Sequence, residues 1–225
     1  MMMEVRNSPN RNIGRQGNVP DFIVCHITDG AFDGAVSWAM NPASQVSYHF
    51  IVARDGRVVQ LVNIENTAWA NGTTNNGSNR DNRFSAIPAV RERSINANLF
   101  TISIGFEGRF SETNGNLTAT QLNAGVELAQ HIRSEVRRIY NFEIPAAGTN
   151  IVGHHQITPI TRPNCPGFNF PFDEFIYRLA APGGVAPWAL NAWLWAIENK
   201  LTDGTRPTAP ITRQETVTLL YRLHK

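Results

Sequence analysis

The segment GHHQITPITRPNCPGFNF, residues 153–170, places two histidines and a cysteine within a dozen residues. Imidazole nitrogen and thiolate sulfur are zinc ligands. A catalytic zinc site takes three protein donors and leaves the fourth position to water. His154 or His155, with Cys165, would supply two donors from one loop. The third must come from a neighbouring strand, and His26, near the end of the run FIVCHIT, is the best placed. The same spacing also occurs in loops that hold no metal, and a Cys25–Cys165 disulfide is formally open. Cys25, however, sits in an apolar run and reads as a small core residue. Glu107 closes the apolar stretch TISIGFEG, where an unpaired buried carboxylate would be costly.

These side chains need a frame. DFIVCHIT, residues 21–28, is apolar and β-branched and reads as a buried strand. In GAFDGAVSWAMNP, Phe32, Val36, Ala39 and Met40 fall at helical spacing, with a stop at Asn41–Pro42. SYHFIVARDGRVVQLV holds two β-rich runs around Arg54-Asp55-Gly56, a hairpin. Residues 71–98 are rich in Asn, Gly, Ser and Arg and read as a long surface loop, functional or mobile. Leu122, Val126, Ala129, Ile132, Val136 and Ile139 form a helical stripe in 118–140, with Thr118 or Thr120 as its cap. NIVGHH is a further strand. Strands separated by a long helix predict an α/β domain over residues 21–180, preceded by a partly ordered polar leader, residues 1–20.

Composition narrows the function classes. The chain has 225 residues, 42% of them hydrophobic and 17% charged, with a formal net charge of +2. That length suits one full domain and a small appendage. The mild basicity calls for no nucleic acid and is equally compatible with an anionic polymer. No run of 18 apolar residues predicts a membrane span. MMMEVRNSPNRN has no apolar h-region, so no signal peptide is expected: the protein is made in the cytoplasm and leaves, if exported, by another route. Two cysteines are too few for a secreted disulfide scaffold.

The motifs VCHITDG, SYHFIVARDGRVVQLV, TAWANG, TISIGFEG and GHHQITPITRPNCPG occur in this order over roughly residues 20–175. Together they resemble the zinc-dependent amidase type 2 family, which includes N-acetylmuramoyl-L-alanine amidases. The resemblance implies a mixed central β-sheet flanked by helices and the cleavage of peptidoglycan between N-acetylmuramic acid and L-alanine. It implies His26, His154 and Cys165 as Zn²⁺ ligands, Glu107 as proton carrier, and Tyr48 at the scissile carbonyl or water. Two departures stand out. Pro163 occupies the place of a Lys or Thr found in many members, so Arg162 is the nearby source of positive charge. Ala70 replaces a histidine of the substrate groove. Trp69 lines the groove or packs in the core, and His155 is a structural or groove residue rather than a ligand. The arginines at 80, 83, 91 and 93 touch an anionic wall or are simply solvated. The architecture suits a phage endolysin or a host autolysin acting at the bacterial wall. Some members only bind peptidoglycan; the presence of all four zinc-site residues argues against that.

After a break at APGGVAP, residues 181–187, the last segment, 188–225, reads as helix, turn, helix. The turn contains Asp203-Gly204, and Thr212 with Glu215 forms a capping box on the second helix. This stretch resembles a single surface-layer-homology-type repeat. That implies a secondary cell-wall polymer as partner, and a single copy suggests homo-oligomerisation or packing on the amidase. The plain alternative is a stabilising helical hairpin.

Overall fold

The computed structural model describes residues 3–72, 81–93, 95–180, 185, 189–202 and 209–223. The chain divides into two compact units, Met1–Leu179 and Ala180–Lys225.

The first unit is built on strands β1 (Glu4–Val5), β3 (Phe22–Ile27), β4 (Phe50–Val52), β5 (Val58–Gln60), β7 (Thr101–Phe106) and β8 (Ile151–Gly153). They form one sheet in the order β1-β5-β4-β7-β3-β8. Only the β4–β5 hairpin pairs antiparallel; β7, β3 and β8 run parallel, so the sheet is mixed, as the motif series implies. A small ribbon pairs β2 (Arg11–Asn12) with β6 (Thr67–Ala68).

Side chains alternate across a strand, and here the alternation separates core from site. Ile23 and Cys25 join Ile102, Ile104 and Phe106 on one face. That face is covered by α4 (Ala119–Tyr140) and α6 (Phe172–Ala180), through Leu128, Ala129, Ile132 and Phe175. A single turn, α3 (Phe110–Thr113), lies between β7 and α4. Cys25 is thus buried core, and both cysteines are free thiols. The opposite face carries α1 (Phe32–Met40), which buries Phe32, Val36 and Ala39 against Ile51 and Leu61. A second cluster on this face joins Phe22, Val24 and Val152 to Val90, Ala97 and Ile157.

Residues 3–20 are part of this unit rather than a partly ordered leader. β1 extends the sheet edge, Ser8 and Asn10 are buried, and Asn10 Nδ2 donates to the carbonyls of Ala39 and Asn41. Arg15 is also buried. Its guanidinium donates to the carbonyls of Ile64 (2.6 Å), Leu99 and Thr101 (both 3.1 Å), joining three distant segments. A polar composition concealed this because the partners are backbone carbonyls far away in sequence.

Within 71–98 the described residues form the short helix α2 (Pro88–Arg91) and two 3₁₀ turns, Asp81–Phe84 and Ala97–Phe100. Residue 80 lies outside the described residues. In the second unit, α7 (Leu190–Glu198) and α8 (Arg213–Leu223) match the expected pair of helices. Thr212 and Glu215 close the capping box: Glu215 N–H donates to Thr212 Oγ (3.2 Å) and Thr212 N–H to Glu215 Oε2 (2.8 Å). The Asp203-Gly204 turn and all of 181–187 except residue 185 lie outside the described residues. No helix among the described residues is long and apolar enough to cross a membrane.

Candidate metal centre and active site

His26 lies near the C-terminal end of β3 and faces away from the α4 core. His154 follows directly on β8 and opens the one-turn helix α5 (His154–Ile157). Because β8 is the parallel neighbour of β3, the two imidazoles meet beyond the carboxyl ends of the strands. Open α/β sheets bind their ligands at this end. The Nδ1 atoms of His26 and His154 are 3.0 Å apart. Cys165 returns from the loop after α5, and the donor atoms of all three residues lie within 4.8 Å of one another. The Cys165 sulfur accepts a hydrogen bond from the Ile27 amide (3.4 Å).

His155 is placed differently from His154. Its backbone amide and its Nδ1 both lie against the Cys165 carbonyl, at 2.8 and 2.9 Å. It braces the loop that carries Cys165. Both histidines lie in the α5 turn, not on the strand. Gly153 makes this arrangement possible: a Cβ there would stand 2.6 Å from the His155 ring and 2.8 Å from Pro166 Cδ.

The donors open onto a cavity of about 500 Å³, within the range of small-molecule sites. Tyr48, Trp69 and Arg162 line it, as do Trp38 and Phe110, which the motif reading had not singled out. Trp69 also donates its indole N–H to Asn12 Oδ1 (3.1 Å), which fixes the ring. The Tyr48 ring meets His26 edge-on at 5.2 Å. It rests over Gly105, where a Cβ would stand 3.2 Å from the ring. Gly105 pairs with His26 across β3 and β7, so it is the site-facing position of β7.

Glu107 does not line this cavity. Its Oε1 accepts from the Phe32 amide at the start of α1 (3.0 Å), and its Oε2 accepts from the Arg54 amide in the hairpin turn (2.7 Å). A carboxylate at a helix N-terminus is well placed electrostatically, and both oxygens are engaged. Among the described residues lining the cavity the sole carboxylate is Asp29, which sequence reasoning missed. Asp29 adopts a left-handed backbone (φ 52°) in an Asp-Gly turn, and its Oδ1 accepts from the Phe110 amide (3.1 Å). The available signal was its position three residues after His26, before a glycine.

Burial sets the protonation states. The His26 imidazolium is disfavoured by loss of solvent and then by the nearby His154, which holds its pKa well below the ordinary value. Burial brings His154 down to about 4. Burial pushes the Cys165 thiol up to about 11, opposed by the Ile27 amide and by Arg162. The Tyr48 hydroxyl is likewise raised, chiefly by burial. His49, beside Tyr48, is core: its Nδ1 accepts from the Ser103 amide (3.0 Å). Two neutral imidazoles whose Nδ1 atoms face each other, with a sulfur beside them, are a donor set suited to zinc.

The sequence pattern of the N-acetylmuramoyl-L-alanine amidases matches residues 16–168. The chain belongs to this family. The match spans β3 to the Cys165 loop and so contains every residue of the centre. The N-acetylmuramoyl-L-alanine amidase A of Achromobacter lyticus is 25% identical over 189 residues, covering 78% of this chain and 92% of that protein. Among solved structures, a point mutant of PlyL aligns with a TM-score of 0.53 at 18% identity, over 81% of this chain and all of that one. A selenomethionine derivative of AmpD aligns at 0.50 and 23% identity, over 80% and 95%. These two likenesses bear on the fold, and they agree with the mixed sheet of this amidase.

Proposed function

We propose that this amidase is a zinc hydrolase that cleaves the peptidoglycan amide between N-acetylmuramic acid and L-alanine. The supporting observation is the convergence of His26, His154 and Cys165 within 4.8 Å in the lining of a cavity, on the family's fold. These three residues would hold Zn²⁺, which on binding lowers the pKa of water toward neutrality and acts as a Lewis acid. Burial favours neutral imidazoles at His26 and His154, the form that ligates.

The remaining roles fall to the cavity walls. Arg162 and Tyr48, which line the cavity, would stabilise the developing oxyanion. Proton transfer needs a carboxylate within reach of the attacking water. Glu107, the residue implied by the motif series, has both oxygens on backbone amides outside the cavity. Asp29 lines the cavity and spends one oxygen on Phe110. In this reading Asp29 takes a proton from the attacking water and returns it to the leaving amine. Trp38 and Trp69 offer flat faces to a sugar or peptide, while His155 acts through the Cys165 loop rather than on substrate.

The site of action is the bacterial wall, as for an endolysin or autolysin. The C-terminal helices would bind a secondary wall polymer, alone or as a homo-oligomer; the repeat-like sequence and the exposed Val217 and Leu220 on α8 support this.

Counting end groups on purified peptidoglycan tests the reading. Zinc-loaded protein should release free L-alanine amines without new reducing sugars, and a chelated control should not. Reducing ends would point to a pair of carboxylates acting on the glycan instead. Sedimentation with the wall and no new end groups would leave a binding protein.

A further inference from the structure

Between His154 and Cys165 runs a loop that carries Arg162 over the cavity. Besides the His155 bonds to the Cys165 carbonyl, the Arg162 amide donates to the Thr158 carbonyl (3.0 Å), the Cys165 amide to the Arg162 carbonyl (3.3 Å) and Arg162 Nη1 to the Thr161 carbonyl (2.8 Å). A second segment grips it from outside. Asp81 is 4% exposed. Its Oδ1 accepts from the Ile160 amide (3.1 Å), and its Oδ2 accepts from the Thr161 amide and hydroxyl (both 2.7 Å). No ion pair to Asp81 occurs among the described residues. Among the described residues this buried carboxylate meets neutral donors alone, and such burial carries a desolvation cost that gains little stability in return. What it does supply is geometry, because three donors converge on two oxygens.

The strap is anchored beyond Asp81. Ser85 donates its hydroxyl to the Gln156 carbonyl in α5, two residues after a metal donor. Asn82 Nδ2 donates to the Ile95 carbonyl (3.3 Å). Val90 and Ala97 pack with Phe22, Val24 and Ile157. Arg93 forks onto Asp21 at 2.8 and 2.5 Å. The described residues of 81–97 therefore join the sheet to the loop at Gln156 and at Ile160–Thr161.

We infer that Asp81 is a positioning residue, which fixes the Ile160–Thr161 backbone and thereby aims Arg162 into the cavity. This rests on the amidase reading above, in which Arg162 stabilises the oxyanion. The test compares Asp81→Asn, Arg162→Ala and the double variant, each zinc-loaded, on a soluble muramoyl-peptide. Asp81→Asn should lower kcat on the order of 10- to 100-fold with little change in KM. In the Arg162→Ala background the same substitution should cost almost nothing further. In the metal-free protein, Asp81→Asn should speed hydrogen exchange at the Ile160 and Thr161 amides. Equal losses in both backgrounds, or an unchanged exchange rate, would show a role confined to general stability and overturn the proposal. An inactive wild type would instead sink the amidase reading, whereas an active wild type with additive losses sinks the Asp81 proposal alone.

Discussion

Asp29 and Glu107 follow neighbouring parallel strands, yet they meet different partners. Asp29 lines the cavity and accepts from the Phe110 amide, while Glu107 ties α1 to the hairpin turn. Asp29→Asn should therefore lower kcat by roughly 100-fold, the scale of a lost acid–base group, with an unchanged melting temperature. Glu107→Gln would set an amide N–H₂ against a backbone donor and should cost about 1–3 kcal/mol of stability in denaturant unfolding. The reverse pattern would return the proton carrier to Glu107. Protonation at the metal centre makes a second prediction. His154 titrates near 4 when folded and near 6.5 when unfolded. The unfolded chain thus binds more protons between these values, and stability falls as pH drops through the window. Above pH 6.5 that stability is fully present. For the metal-free protein the loss by pH 4 should reach roughly 3 kcal/mol from this residue, with His26 acting in the same direction. Urea midpoints across pH 4–7 measure it, and a flat profile would contradict the buried neutral imidazoles.

Packing between elements decides what sequence propensity alone gets wrong. Gly125 interrupts the middle of α4, where alanine would ordinarily add about 1 kcal/mol. Here a Cβ would stand 2.7 Å from Phe106 Cε1 and 3.1 Å from Phe175 Cε2. Gly125→Ala should therefore destabilise by about 1–3 kcal/mol, the range of an overpacked core. An increase in melting temperature would show that the helix can retreat from the sheet. The elements themselves were largely legible. The α4 stripe buries as its spacing requires, and Thr118 caps it by accepting from the Gln121 amide. The hairpin and the β3, β7 and β8 strands stand where their apolar runs predict. The N-terminal segment was not legible: β1 pairs with β5 and β2 with β6, more than fifty residues away. The run NIVGHH predicts a strand position for His155, whereas the chain turns into α5 immediately after Gly153.

At the scale of the whole molecule, the family match ends at residue 168 and the first compact unit at Leu179. Catalysis and wall attachment should then separate. A chain ending at residue 180 should hydrolyse soluble muramoyl-peptides at the full rate but sediment poorly with intact walls. Equal sedimentation of both chains would assign the C-terminal helices a different task. By itself, the sequence determined the α/β class, the family and the donor types, because these rest on local periodicity and on ordered motifs that survive without coordinates. It could not say which carboxylate faces the cavity. Glu107 stands two residues beyond Gly105, whose side of β7 faces the site, and its oxygens are claimed by amides of α1 and the hairpin. Nor could it foresee that Asp81 would grip a loop some eighty residues away. Hydrogen bonds of that separation follow from strand order and helix docking, and only the tertiary structure sets those.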